Sequence, residues 1–163
     1  MRRLFALTGI IAPPPPPAVP PLLRDRAARL LATLIRAARE TAIANGVRPV
    51  PATIQRALRG FFPDALLRKA RFASEGADPI AIPGIASTYG HPDALVLGDV
   101  VLFRDEATAR ADPSPWVHAL THAMQFERLG IDGFATRYLE EPAALEQEAR
   151  DNAARFAAWR AHA

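Results

Sequence analysis

A chain of 163 residues, half of them hydrophobic, is long enough to bury one sizeable core and too short for two comfortable domains. It contains no cysteine, which excludes disulfide frameworks and thiolate metal sites together, so any metal must be held by His, Asp or Glu. The formal charge is only +3 although the pI is near 10.1, and Lys69 is the sole lysine; the arginines crowding residues 24–59 lack the interleaved aromatics of a single-strand binder, which favours a solvated helix face over a nucleic-acid partner.

Arg2 and Arg3 ahead of the apolar run Leu4 to Ala12 resemble a short export signal, but five prolines follow from Pro13 and there is no Ala-x-Ala cleavage site. Export and a retained amino-terminal segment therefore both stand. Pro13 to Pro17, with Pro20 and Pro21, predict an extended linker, because proline fixes φ and supplies no backbone donor. Residues 1–21 are thus read as segment and linker, and 22–163 as one domain.

Leu23, Ala27, Leu30, Leu31, Leu34, Ala38 and Ala42 recur at helical spacing, and Asn45-Gly46 supplies a stop, so a long amphipathic helix is predicted from Leu22. Pro49-Val-Pro51 breaks the chain. A short helix over Ala52 to Leu58 and a further turn after Phe61-Phe62-Pro63 follow, with Arg71-Phe72-Ala73 extended. Ser74 to Pro92 is rich in Gly and Pro without a period and reads as a loop, with His91 inside it.

Ala94 to Phe103 is the strongest β signal, and its Gly98-Asp99 pair allows a tight hairpin or one bulged strand. Asp112-Pro-Ser-Pro115 then sets up a helix with Ser114 as cap and Pro115 at the first position, running to Leu129 and ended by Gly130. A short helix from Ile131 and a last one from Pro142 to about Trp159 complete the chain. The order implies an α+β fold that is mostly helical, and no run approaches the ~20 apolar residues of a membrane-spanning helix.

His118 and His122 lie four apart on a well-signalled helix, so their side chains project within roughly 40° of each other. Two imidazoles so placed can share one tetrahedral zinc. In the peptidase motif H-E-x-x-H the intervening Glu is the general base, and here that position is Ala119. Taken alone, the pair reads equally as a core histidine beside Trp116 and an exposed one. Thr121 and Gln125 read as groups that satisfy buried polar atoms, and His162 as a tail residue.

The last helix offers two carboxylates, Glu146 and Glu148, with enough chain after His122 to turn and bring a second helix alongside. Glu148 is the preferred third ligand, because Asn152 lies one turn on and could orient a histidine by a hydrogen bond from behind; Glu146 is the alternative. Both are equally readable as surface charge near a helix amino terminus.

The phrases Arg48-Pro-Val-Pro51, Leu58-Arg-Gly-Phe-Phe-Pro63, Leu97-Gly-Asp-Val-Val-Leu-Phe103 and Trp116-Val-His-Ala-Leu-Thr-His-Ala-Met-Gln125 together resemble a bacterial metallopeptidase domain family, the eCIS core domain, named for extracellular contractile injection systems. The likeness spans about Arg48 to Asn152. It implies a minimal zincin-like fold, zinc at His118 and His122, and a downstream Glu as third ligand; the substrate is not implied. Ala119 departs from the family's Glu, and losing a general base typically removes about 10²–10⁴ in rate while leaving the metal ligands in place. The expectation is a zinc-binding but catalytically silent domain. Alternatives are an active peptidase in a form that carries glutamate in place of Ala119, and a metal-free interaction scaffold linked to contractile injection systems, with the peptide or protein bound unknown in each.

Overall fold

The computed structural model describes residues 20–74 and 94–162. The apolar amino-terminal segment, read either as an export signal or as a retained segment, the Pro13–Pro17 run, the loop expected after Ser74 and His91 lie outside those residues.

Helix α1 spans Pro21–Asn45, with Pro20 as cap and Pro21 in the first turn, so the last two prolines assigned to the linker open the helix instead. It stops at Gly46, whose φ of 102° lies where only glycine sits without strain. Strand β1 (Arg48–Pro49), helix α2 (Ala52–Leu58), helix α3 (Asp64–Lys69) and strand β2 (Arg71–Ser74) follow. The hairpin reading of the next segment is the correct one: β3 (Ala94–Leu97) and β4 (Val100–Phe103) pair antiparallel around Gly98-Asp99, with Gly98 at φ 72°. After them come α4 (Glu106–Ala111), α5 (Ser114–Glu140) and α6 (Pro142–Ala161). The fold is therefore α+β and mostly helical.

The four strands form one mixed sheet in the order β1-β2-β4-β3, antiparallel except for the parallel β2–β4 pair. All four residues of β4 are buried, as expected of a central strand covered on both faces. Its alternate side chains serve two cores: Val101 and Phe103 pack with Phe72, Trp116, Val117 and Leu120, while Val100 and Leu102 pack with Leu31, Ile35, Phe126 and Phe134. Helix α5 contributes to both cores. Its amino-terminal half, from Trp116 to Ala123, is buried on every side, the mark of a helix in the centre of a core.

One local expectation is corrected. The α5 cap is not Ser114 but the stretch before it, since the Asp112 carboxylate accepts from the Ser114 N–H at 2.9 Å and Pro113 occupies the cap position. Gly130 interrupts the helix as expected: its φ of 69° and ψ of 170° are not helical, and the span Ser114–Glu140 is two helical stretches that meet at this kink. Helix α4 is an element that apolar spacing does not signal, and its start is held by Asp105, which accepts from Thr108 N–H at 2.7 Å. Among the described residues, no helix is long and apolar enough to cross a membrane.

Candidate metal centre

Helix α6 runs back along α5, as the contacts show in turn: Arg128 meets Glu148, Gln125 meets Leu145 and Glu148, and Thr121 meets Asn152. This register follows from the apolar face Leu145, Ala149 and Phe156, which seats α6 in the core. It carries Glu146 over the two histidines.

Nε2 of His118 and Nε2 of His122 are 3.0 Å apart. Glu146 Oε1 lies 3.2 Å from His122 Nε2, and Glu146 Oε2 lies 3.4 Å from His118 Nε2. The ligand atoms of these three residues all fall within 4.8 Å of one another. A tetrahedral zinc with bonds of ~2.0–2.1 Å has edges of about 3.3 Å between its ligands, so the donor set fits the ion in both chemistry and spacing.

The tautomer of His122 is set by its neighbours. Gln125 is fully buried, and its Nε2 lies 3.0 Å from two acceptors, the Leu145 carbonyl and Glu148 Oε2. Both amide hydrogens are thereby used, which leaves Gln125 Oε1 to accept from His122 Nδ1–H at 2.8 Å. In the neutral ring His122 Nε2 is then a lone pair, with His118 Nε2 and the Glu146 carboxylate as its neighbours. Glu146 Oε1 is buried without a hydrogen-bond partner. Two acceptors at 3.2 Å call for a cation between them, either a proton or a metal ion.

Burial pushes the Glu146 carboxyl up, but the two imidazoles beside it outweigh that and hold it well below the usual carboxylate range. Glu148 is held low chiefly by Arg128, against a smaller effect of burial and with help from Gln125. Its two oxygens take the forked guanidinium at 3.0 and 2.9 Å.

The preference for Glu148 as third ligand is thus corrected to Glu146. Glu148 is occupied by Arg128 and reaches His122 only through Gln125. Asn152 also differs from its expected role: its Nδ2 donates to Thr121 Oγ1 at 2.9 Å, and Thr121 in turn donates to the Val117 carbonyl at 2.7 Å, so it fastens α6 to α5 and touches no histidine. The group that orients a histidine is Gln125, which the H-x-x-Q spacing after His122 could have revealed. Ala119 is 1% exposed and packs in the apolar core with Leu58 and Leu120. His162 sits at the end of α6, its Nδ1 against the Ala158 carbonyl, far along the chain from the histidine pair.

Compared with known protein families, curated proteins and solved structures, the chain matches none.

Proposed function

We propose that this chain is a zinc-binding, metallopeptidase-like domain that holds the ion through His118, His122 and Glu146 and lacks the general base of a working peptidase. The observation that carries this reading is the convergence of three buried or half-buried donor residues, one offering a buried carboxylate oxygen with no hydrogen-bond partner, on a single point. Three protein ligands leave the fourth tetrahedral position to a small molecule, which is the plan of a catalytic and not a structural zinc site. When bound, zinc supplies a Lewis acid and lowers the pKa of a coordinated water.

The protein's own residues do the rest. Glu146 brings negative charge to the ion, Gln125 fixes the His122 ring so that Nε2 faces inward, and Glu148 with Arg128 holds Gln125 in place. Ala119 offers no proton acceptor. The resemblance to the eCIS core domain agrees with this assignment and gives the zincin-like expectation for the fold; the ligand would be a peptide or protein.

The test is zinc content and thermal stability together. Purified protein should bind one zinc per chain, with an unfolding temperature raised by the metal and lowered again by a chelator. His118→Ala with His122→Ala should abolish both effects. Zinc-loaded protein should cleave an unstructured peptide library negligibly; strong, chelator-sensitive cleavage would overturn the silent reading in favour of an active peptidase. Equal metal content in the parent and the double variant would show that the ion is not held at this site, and a parent that binds none would leave only the metal-free scaffold.

A further inference from the structure

Helix α1 carries two apolar faces, and among the described residues the fold uses one. The buried face is Ala28, Leu31, Ala32, Ile35, Ala38 and Ala42. A second row, Leu23, Ala27, Leu30, Leu34, Ala37 and Thr41, advances by alternating steps of four and three residues, the spacing of a coiled-coil seam. At ~100° per residue this row occupies an arc of about 80° on the helix, some 120° round from the centre of the buried face. It faces solvent: Leu23 is 52% exposed, Leu30 61% and Leu34 38%. Along its outer margin, every seventh residue, run Arg26, Thr33 and Glu40, all exposed.

We infer that this row is a self-association surface, on which two copies of the chain pair their α1 helices antiparallel. The row is complementary to its own reversal. Turned end for end about its midpoint, it sets Leu30 against Leu34 of the partner subunit and Leu34 against Leu30 of the partner subunit, giving two leucine layers at the centre. The next layers outward pair Ala27 with Ala37 of the partner subunit, small side chains that let the two backbones approach. The same arrangement brings Arg26 beside Glu40 of the partner subunit, their levels two residues (~3 Å) apart and so within side-chain reach, and by symmetry does so twice, once at each end.

A parallel pairing would set each of these charges at the level of its own copy and give no such match. The two-fold arrangement is the closed, isologous kind that most soluble oligomers use. A foreign helix would need an apolar stripe on α1, but it would not need charges of opposite sign along one margin, six residues before and eight after the stripe's centre. That complementarity selects a second copy as the occupant.

The inference is independent of the metal site, and its test uses the full chain. Sedimentation over a concentration series at low salt should show a reversible monomer–dimer equilibrium. Leu30→Glu should weaken it by about tenfold or more while leaving the far-ultraviolet circular dichroism and the unfolding temperature unchanged. Arg26→Glu should weaken it too, and Arg26→Glu combined with Glu40→Arg should restore it, because the swap rebuilds both pairs. Since the chain has no cysteine, mixing Ala27→Cys protein with Ala37→Cys protein under oxidation should give the mixed disulfide ahead of either homodisulfide. A chain monomeric up to about 1 mM, a dimer indifferent to Leu30→Glu, a charge swap that fails to restore association, or a predominance of Ala27→Cys homodisulfide would each overturn the antiparallel α1 dimer.

Discussion

Gln125 Oε1 accepts the Nδ1 proton of His122 at 2.8 Å, and because both hydrogens of the Gln125 amide are taken by the Leu145 carbonyl and Glu148, this bond can run in one direction only. The ring of His122 is thereby locked with its other nitrogen bare and turned toward Glu146. Gln125→Leu should keep the volume and lose the lock. Zinc affinity should fall by about 10–100-fold, read by competition with a chromophoric chelator. Unchanged affinity would show that the ring is held by packing against Phe134 alone.

Glu146 and Glu148 are separated by their neighbours, and their variants should separate likewise. Glu146→Gln removes an anionic donor and should lower zinc affinity by about 100-fold or more. Glu148→Gln leaves the three donors in place and disturbs only the Arg128–Glu148–Gln125 chain, so a loss nearer tenfold is expected. A larger effect at Glu148 in the same titration would mean that the carboxylates exchange places when metal binds.

Ala119 lies in the closed core, so Ala119→Glu has a cost as well as a gain to offer. Without metal, a carboxylate lodged among Leu58, Leu120 and their neighbours should destabilise the fold by about 3 kcal/mol, or roughly 6–12 °C in unfolding temperature. Zinc should recover part of that if the new side chain reaches the ion, and chelator-sensitive peptide cleavage should then appear. An unfolding temperature equal to the parent's in the absence of metal would place the side chain in an open groove.

Acid stability should report on Glu106, which accepts from Arg48 and Arg110 and thereby ties β1 to α4. Hydrogen bonds from Arg48 and then Arg110 hold its carboxyl down at about 2, from an ordinary 4.5. A carboxyl depressed in the folded state stabilises fully above its unfolded value and loses that contribution as pH falls through the folded one. Parent and Glu106→Gln proteins should therefore differ above pH 4.5 and converge as the pH falls toward about 2. The pairs are exposed and the difference should be small, shrinking further with added salt; a gap that persists at the acid end would assign it to another cause.

The longer helices, the β segment with its turn at Gly98-Asp99 and the paired histidines were legible in the sequence because each rests on local chemistry. Apolar spacing marks α1, α5 and α6; Gly98 permits the positive φ of the hairpin; a four-residue step puts His118 and His122 on one face whatever surrounds them. Pro20 and Pro21 misled because the same fixed φ suits both an extended linker and the first turn of a helix.

The third donor belonged to a different class of question. Leu145, Ala149 and Phe156 define the buried side of α6, and Glu146 and Glu148 flank that side symmetrically, each about 80° from its centre at ~100° per residue. Periodicity cannot choose between two such flanks. The choice is made by how α6 lies on α5: its antiparallel register brings one flank over the histidines and the other over Arg128, whose guanidinium then claims Glu148. The sequence by itself determined that the two histidines share a face and that two carboxylates flank the buried side of α6, and only the packing of one helix on another brought one of them to the histidine pair and decided which.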